Sequence, residues 1–183
     1  MEISFEHFSL APIQQKDAWR LCNFVTANES YLKDDFPETL KENATPNLAE
    51  LFVAKKEKAF LNKEEYLFTL KENSERTIIG LVFVKELHKK EGQAEIAYCL
   101  SYPYTGKGVM TKAVQKIIDW AFTIGKLDSV QLLIHESNKA SLKIADKLQF
   151  SYITVLQKEH RRSNGEIVDM QLFELNKNSS KKT

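Results

Sequence analysis

Hydrophobic positions along this chain change period several times, and each change marks an element. Ile3, Phe5 and, after a polar insertion, Phe8 and Leu10 predict a first strand. From Gln15 to about Asn28, the apolar residues Ala18, Trp19, Leu21, Cys22 and Val25 fall on one helical face. Residues 28–47 are polar and broken by Pro37 and Pro46, which predicts a loop or a short helix. Residues 48–61 turn helical again, with Leu48, Leu51, Phe52, Lys55 and Ala59 near a common stripe.

The middle of the chain is rich in strands. Residues 66–71 and 78–87 are apolar or β-branched runs separated by Glu72-Asn73-Ser74-Glu75-Arg76, the composition of a hairpin turn. Lys89-Lys90-Glu91-Gly92 predicts another turn, and residues 94–101 the next strand. A glycine-rich turn then leads into a helix over 109–124, where Val109, Met110, Ala113, Val114, Ile117, Ile118, Ala121 and Phe122 mark the buried face. A strand over 129–135 and a helix over 138–148 follow. Two last strands, 151–161 and 166–175, flank Asn164-Gly165, a pair that predicts a type I′ turn because both central residues need positive φ.

The order β-α-α-β-β-β-α-β-α-β-β predicts a mixed α/β fold. It implies a twisted mixed sheet of about seven strands, with a parallel crossover through the 109–124 helix. There is no internal repeat and no Pro/Gly/Ser-rich linker. Residues 1–176 are therefore expected to form a single domain, with 177–183 a polar basic tail.

Composition narrows the class. The 183 residues are 43% hydrophobic, enough for one buried core, and carry a net charge of +1 from 26 Lys and Arg against 25 Asp and Glu. A protein that grips a phosphate backbone by charge carries a clear basic excess, so nucleic acid is not an expected partner. Cys22 and Cys99 are the only cysteines; they form no Cys-x-x-Cys pair and no disulfide framework. The histidines His7, His88, His135 and His160 are scattered, so no metal site is expected. No apolar run approaches the ~20 residues of a membrane span, which leaves the cytoplasm as the expected location.

The candidate chemistry begins at Gly106 and Gly108, between a strand and a strongly amphipathic helix. A helix N-terminus leaves its first N–H groups unpaired and carries about half a positive charge, so strand–Gly-x-Gly–helix is an anion site. By itself the motif also describes an ordinary tight turn. It lacks the Gly-x-Gly-x-x-Gly spacing of dinucleotide folds and the Gly-Lys-Ser/Thr of a P-loop, which disfavours a nucleotide-binding reading.

Four blocks in order give the turn a context. Ala94-Glu95-Ile96-Ala97-Tyr98-Cys99-Leu100 is similar to an acidic strand that usually reads Ala-Glu-Ile-Gly-Tyr-Trp-Leu. Tyr104-Thr105-Gly106-Lys107-Gly108-Val109-Met110-Thr111 is similar to a pyrophosphate loop, and Asn138-Lys139-Ala140-Ser141 to an Asn-x-x-Ser helix start. Asn164-Gly165-Glu166-Ile167-Val168-Asp169 is similar to a C-terminal hairpin signature. Together they resemble the GNAT acetyltransferase superfamily, RimJ/RimL-like branch, over roughly the last half of the chain. Three positions depart from the pattern: Thr105 and Met110 at the ends of the loop motif, where Met110 would narrow the phosphate space, and Gln149 where the family has a capping glycine.

The resemblance implies an acetyl-CoA-dependent N-acetyltransferase acting directly on a primary amine, a protein N-terminal amine such as that of a ribosomal protein included. A non-catalytic acetyl-CoA-binding sensor of the same fold remains the alternative. By resemblance Glu95 is the candidate base, acting through a water, and Ser141 the candidate acid for the departing thiolate; each also reads as an ordinary residue, an ion-paired strand carboxylate and a first-turn serine. Acetyl-CoA is expected along Thr105, Gly106, Lys107, Gly108, Val109, Met110, Thr111 and Asn138, with backbone donors from Cys99, Leu100 or Ser101. A covalent acetyl-Cys99 lacks a partner pattern, so direct attack in a ternary complex is expected. Glu29, Asp34, Asp35, Glu38 and Glu42 form an acidic stretch that would suit a cationic acceptor such as a basic protein N-terminus or a polyamine. Arg161 and Arg162 would touch CoA phosphates or cover a sheet edge. The oligomeric state is expected to be monomer or homodimer.

Overall fold

A computed structural model describes residues 1–88 and 92–177. The expected turn at 89–91 and the tail beyond Lys177 lie outside the described residues. In chain order the elements are β1 (Ile3–Phe5), β2 (Phe8–Pro12), α1 (Ala18–Ala27), α2 (Glu29–Leu32), α3 (Pro37–Glu42) and α4 (Pro46–Leu61). Then come β3 (Tyr66–Glu72), β4 (Ile78–His88), β5 (Gln93–Leu100), α5 (Val109–Thr123), β6 (Ser129–Ile134), α6 (Lys139–Lys147), β7 (Ser151–Arg161) and β8 (Ile167–Asn176).

The strands form one mixed sheet in the order β1-β2-β3-β4-β5-β6-β8-β7. Neighbours are antiparallel except β5 and β6, which are parallel and joined through α5 as the crossover rule requires. The strand count is eight because the expected first strand is two: Glu6 at φ +50° turns the chain, and Ile3 pairs back onto Leu10.

The sheet carries two apolar layers. On one face Val82, Val84, Ala94, Ile96 and Leu100 pack against the expected stripe of α5, Val109 to Phe122, and against α6. On the other, Leu67, Leu81, Phe83 and Cys99 pack against α1 and α4.

Packing on that second face overrules two sequence readings. In α1, Trp19 stands 55% exposed with the Arg20 guanidinium 4.6 Å from its ring, while Phe24 is buried. In α4 the buried stripe is Ala49, Phe52 and Val53, and Leu48 and Leu51 face outward. Both stripes fit helical spacing and share Phe52, so only the position of α1 decides between them. The helix also starts at Pro46, capped by the Thr45 hydroxyl, which accepts from Leu48 N–H.

Two turns also differ or sharpen. In the β7–β8 hairpin only Gly165 has positive φ; its N–H donates to Arg162 O at 3.0 Å and Arg162 N–H to Glu166 O at 2.8 Å. That is a three-residue loop with a left-handed glycine bulge rather than type I′. At the end of α6, Gln149 takes φ +60°, Phe150 N–H donates to Ala145 O and Gln149 N–H to Asp146 O. The paired bonds are a Schellman cap in which glutamine occupies the strained position.

Candidate active site

The site begins where the sheet opens. β5 and β6 pair only over Gln93–Ser129, Ala94–Val130 and Glu95–Gln131, then diverge. Backbone groups beyond Glu95 on that edge are left without a strand partner. The β4–β5 ladder says which ones they are. Ser101 N–H donates to Ile79 O at 2.7 Å, so in the alternation of an antiparallel pair Cys99 also bonds toward β4 and Leu100 and Tyr98 point away from it, into the gap. Of the three backbone donors expected from sequence, Leu100 therefore faces the opening and Cys99 and Ser101 do not. The Ser101 hydroxyl instead donates to buried Asn28, which also accepts from Tyr102 N–H and so ties the end of α1 to the end of β5.

Past β5 the chain makes the glycine turn and enters α5. Gly106 and Gly108 have φ of +74° and +76°, and Gly108 is the helix N-cap. A Cβ at either would meet no heavy atom within 4 Å, so backbone conformation, not crowding, selects glycine there and leaves the amides accessible. The amides of Val109, Met110 and Thr111 are the unpaired first turn of α5, and Lys112 N–H makes the first bond, to Gly108 O. Thr105 turns its hydroxyl back onto Tyr102 O, and Lys107 Nζ lies 5.7 Å from the Tyr104 ring centre. Met110 does not narrow the turn as expected: its side chain is buried and reaches under the sheet to Gly80 in β4.

Two cavities meet at the opening. The smaller, about 660 Å³, runs along Cys99, Leu100, Thr105, Gly106, Gly108, Val109, Met110 and Thr111 to the start of α6. Ser101 and Lys107 do not line it. The larger, about 1270 Å³, lies on the α3–α4 side and is lined by Phe36, Phe52, Phe83, Lys85, Glu95 and the β7–β8 hairpin. Asp35, Phe36, Tyr98, Asn138, Ser141 and Arg162 line both, so they mark the junction.

Glu95 lies in the larger cavity with its side chain 14% exposed and Oε1 3.0 Å from Lys85 Nζ. The cation keeps a carboxylate in this half-buried place from being an isolated charge. Across the cavity, Asn138 caps α6 by accepting from Ser141 N–H at 3.1 Å, so both residues are fixed to the helix start. Asn138 Nδ2 donates to Asp35 at 3.3 Å, Ser163 Oγ donates to the Asp34 carboxylate at 3.0 Å, and His160 Nε2 donates to Asp34 O at 2.7 Å. The α2–α3 segment is thereby lashed across the opening to α6 and to the last hairpin.

Burial pushes the Cys99 thiol up to about 12, which disfavours the thiolate a covalent mechanism would need. Arg162 packs against the His135 ring at 3.3 Å and pairs with Glu166 at 3.1 Å. Among the described residues no group of three His, Cys, Asp or Glu could hold a metal ion, and no helix is long and apolar enough to cross a membrane.

Tyr98 and Phe36 are the junction residues that sequence reasoning did not single out, whereas Arg162, read there as a phosphate contact or an edge cover, lies at the junction against His135. Tyr98 was marked by its alternation with Ile96 and Leu100, which assigns it to the core face and gives no hint that the strand splays beside it.

An acetyltransferase (GNAT) domain model matches residues 7–151. An uncharacterized N-acetyltransferase, p20 of Bacillus licheniformis, is 32% identical over 98 residues, and that match spans 54% of this chain and 54% of p20. The spermidine N(1)-acetyltransferase of Escherichia coli (strain K12) is 28% identical over 142 residues, 78% of this chain and 72% of that protein. The crystal structure of a ribosomal-protein-S5-alanine acetyltransferase from Vibrio fischeri superposes with a TM-score of 0.91 at 23% identity over 99% of both chains. The chain belongs to the GNAT acetyltransferase family.

Proposed function

We propose that this protein moves an acetyl group from acetyl-CoA directly to the primary amine of a cationic acceptor. The observation that carries the reading is the junction: a phosphate-ready channel and an acceptor-sized cavity meet where β5 and β6 part. In this reading the α5 N-terminus and its two left-handed glycines hold the pyrophosphate through backbone N–H groups. The thioester end of the co-substrate supplies the activated acetyl group. Leu100 N–H faces the position where negative charge develops on the acetyl oxygen.

The remaining roles follow from where the side chains lie. Glu95 takes the amine's proton through a water while Lys85 holds its carboxylate in place. A free α-amine titrates near 7.7–8.0, so a base at neutral pH has little to overcome. Ser141, on the opposite wall, hydrogen-bonds the sulfur as the C–S bond breaks. Among the residues lining the larger cavity, carboxylates outnumber Lys and Arg by eight to five. That excess supports a cationic acceptor, a basic protein N-terminus such as that of a ribosomal protein or a polyamine. The p20, spermidine and ribosomal-protein enzymes are all named for acetyl transfer. We place the reaction in the cytoplasm and in a single domain spanning residues 1–176.

The test is thiol release from acetyl-CoA across a panel of amines: spermidine, peptides with free basic N-termini, and neutral amines. Cationic acceptors are expected to react fastest. Binding of acetyl-CoA without thiol release on any amine would replace the enzyme with a sensor.

A further inference from the structure

Among the described residues three buried side-chain polar atoms lack a hydrogen-bond partner: Asn43 Oδ1, Trp120 Nε1 and Tyr98 Oη. Asn43 and Trp120 line neither cavity. Tyr98 lines both, at the place where they join. Its ring comes from β5 two residues before Leu100, on the core face, and its hydroxyl ends beside α6. No group meets the full distance and angle of a hydrogen bond to Oη. The Ser141 side chain is nonetheless near enough to act on the phenol as a hydrogen-bonding neighbour, against the burial that pushes it up to about 12. A phenol held there stays protonated through neutral pH and so keeps a proton it can donate.

Ser141 has one proton and a freely turning hydroxyl. Its backbone N–H is occupied by Asn138, which fixes the residue but not the direction of its O–H. A neighbour that donates to Ser141 Oγ would leave the serine's own proton free to point elsewhere, and the open direction at this junction is the gap between β5 and β6. From this arrangement we infer that Tyr98 is a positioning residue: its buried hydroxyl donates to Ser141 Oγ and so aims the serine proton at the sulfur that departs during acetyl transfer. No proton leaves the phenol. Its contribution is to orient and polarise a hydrogen bond that strengthens as charge grows on sulfur. The inference rests on the acetyl-transfer reading and on Ser141 facing the thioester.

A double-mutant cycle separates the two. Tyr98→Phe is expected to lower kcat about tenfold, leave KM for acetyl-CoA within twofold, and leave the melting temperature of the unliganded protein unchanged, because without CoA the hydroxyl completes no hydrogen bond that the change could remove. In a Ser141→Ala background the same change is expected to matter less than twofold. An equal loss in both backgrounds, or no loss in the parent, overturns the role of Tyr98. Parent-like kcat in Ser141→Ala alone overturns the role given to Ser141 and, with it, the relay. A second measurement needs no acceptor. In a crystal structure with CoA bound, Tyr98 Oη is expected about 2.7–2.8 Å from Ser141 Oγ. A phenol turned from Ser141 in that complex overturns the proposal.

Discussion

Replacing Gly108 with alanine should separate the stability of the glycine turn from its use. Gly108 sits at φ +76° and ψ 0° as the N-cap of α5. An L-residue in that region costs about 1–2 kcal/mol, and the added side chain returns about 0.4–1 kcal/mol by restricting the unfolded chain. No protein atom lies within 4 Å of the new Cβ, so no clash adds to this. The net loss is about 1 kcal/mol, a fall in Tm of about 2–4 °C for a chain of this size. Binding should suffer more. The methyl group would stand in the space a pyrophosphate needs in order to reach the amides of Val109 and Met110. One charge-assisted hydrogen bond lost, at about 1.5–3 kcal/mol, weakens acetyl-CoA binding roughly 10- to 100-fold. Calorimetric titration with acetyl-CoA, beside thermal melts of both proteins, reads the two effects separately. If the variant melts a few degrees lower but binds acetyl-CoA within threefold of the parent, the phosphate is not held at this turn.

Three further outcomes follow from the same structure. Glu95→Gln removes the proposed base while keeping its size, and kcat is expected to fall about 10- to 100-fold with KM for acetyl-CoA little changed; parent-like kcat would reduce Glu95 to the partner of Lys85. Gln149→Gly relieves the left-handed cap of α6 and should raise stability by about 0.5–1 kcal/mol, visible as a Tm gain, whereas a fall would mean the glutamine side chain makes contacts that outweigh its strain. Cys99 titrates at 9.0 when unperturbed and near 12 when folded, so above pH 9 the unfolded chain releases a proton the folded chain keeps. Stability is therefore expected to drop as pH rises through about 9–12, and Cys99→Ala should flatten that drop in melts taken at pH 8 to 10.5; an unchanged slope would show that Cys99 does not contribute.

The sequence was most informative where one local signal decided the geometry. The α5 stripe from Val109 to Phe122 could face only one way, and the two glycines before it marked a tight turn, in which both take positive φ. Elsewhere the deciding contact came from far along the chain. Leu48 and Ala49 start equally good stripes on α4, and the position of α1 chose the second. Asn164-Gly165 fits more than one hairpin turn, and the register set by β7 and β8 left only Gly165 left-handed. Cys99, Leu100 and Ser101 looked equivalent as backbone donors until the ladder with β4 assigned Ser101 N–H to Ile79 O and turned Leu100 toward the gap. Tyr98 was harder to see, because its surroundings depend on β6 ending its pairing with β5 at Gln131. The lashing of Asp34 and Asp35 to Ser163, His160 and Asn138 joins residues more than 100 positions apart, which no local pattern encodes. Neutralising Asp34 and Asp35 would therefore loosen the segment that crosses the opening as well as change the charge beside it.

The central claim is that the channel under the α5 N-terminus is built for acetyl-CoA, and calorimetric titration of the purified protein with acetyl-CoA and, separately, with ATP tests it most directly. Saturable one-to-one binding of acetyl-CoA, with no heat from ATP at the same concentrations, is the expected result. Binding of ATP with no binding of acetyl-CoA would contradict the account.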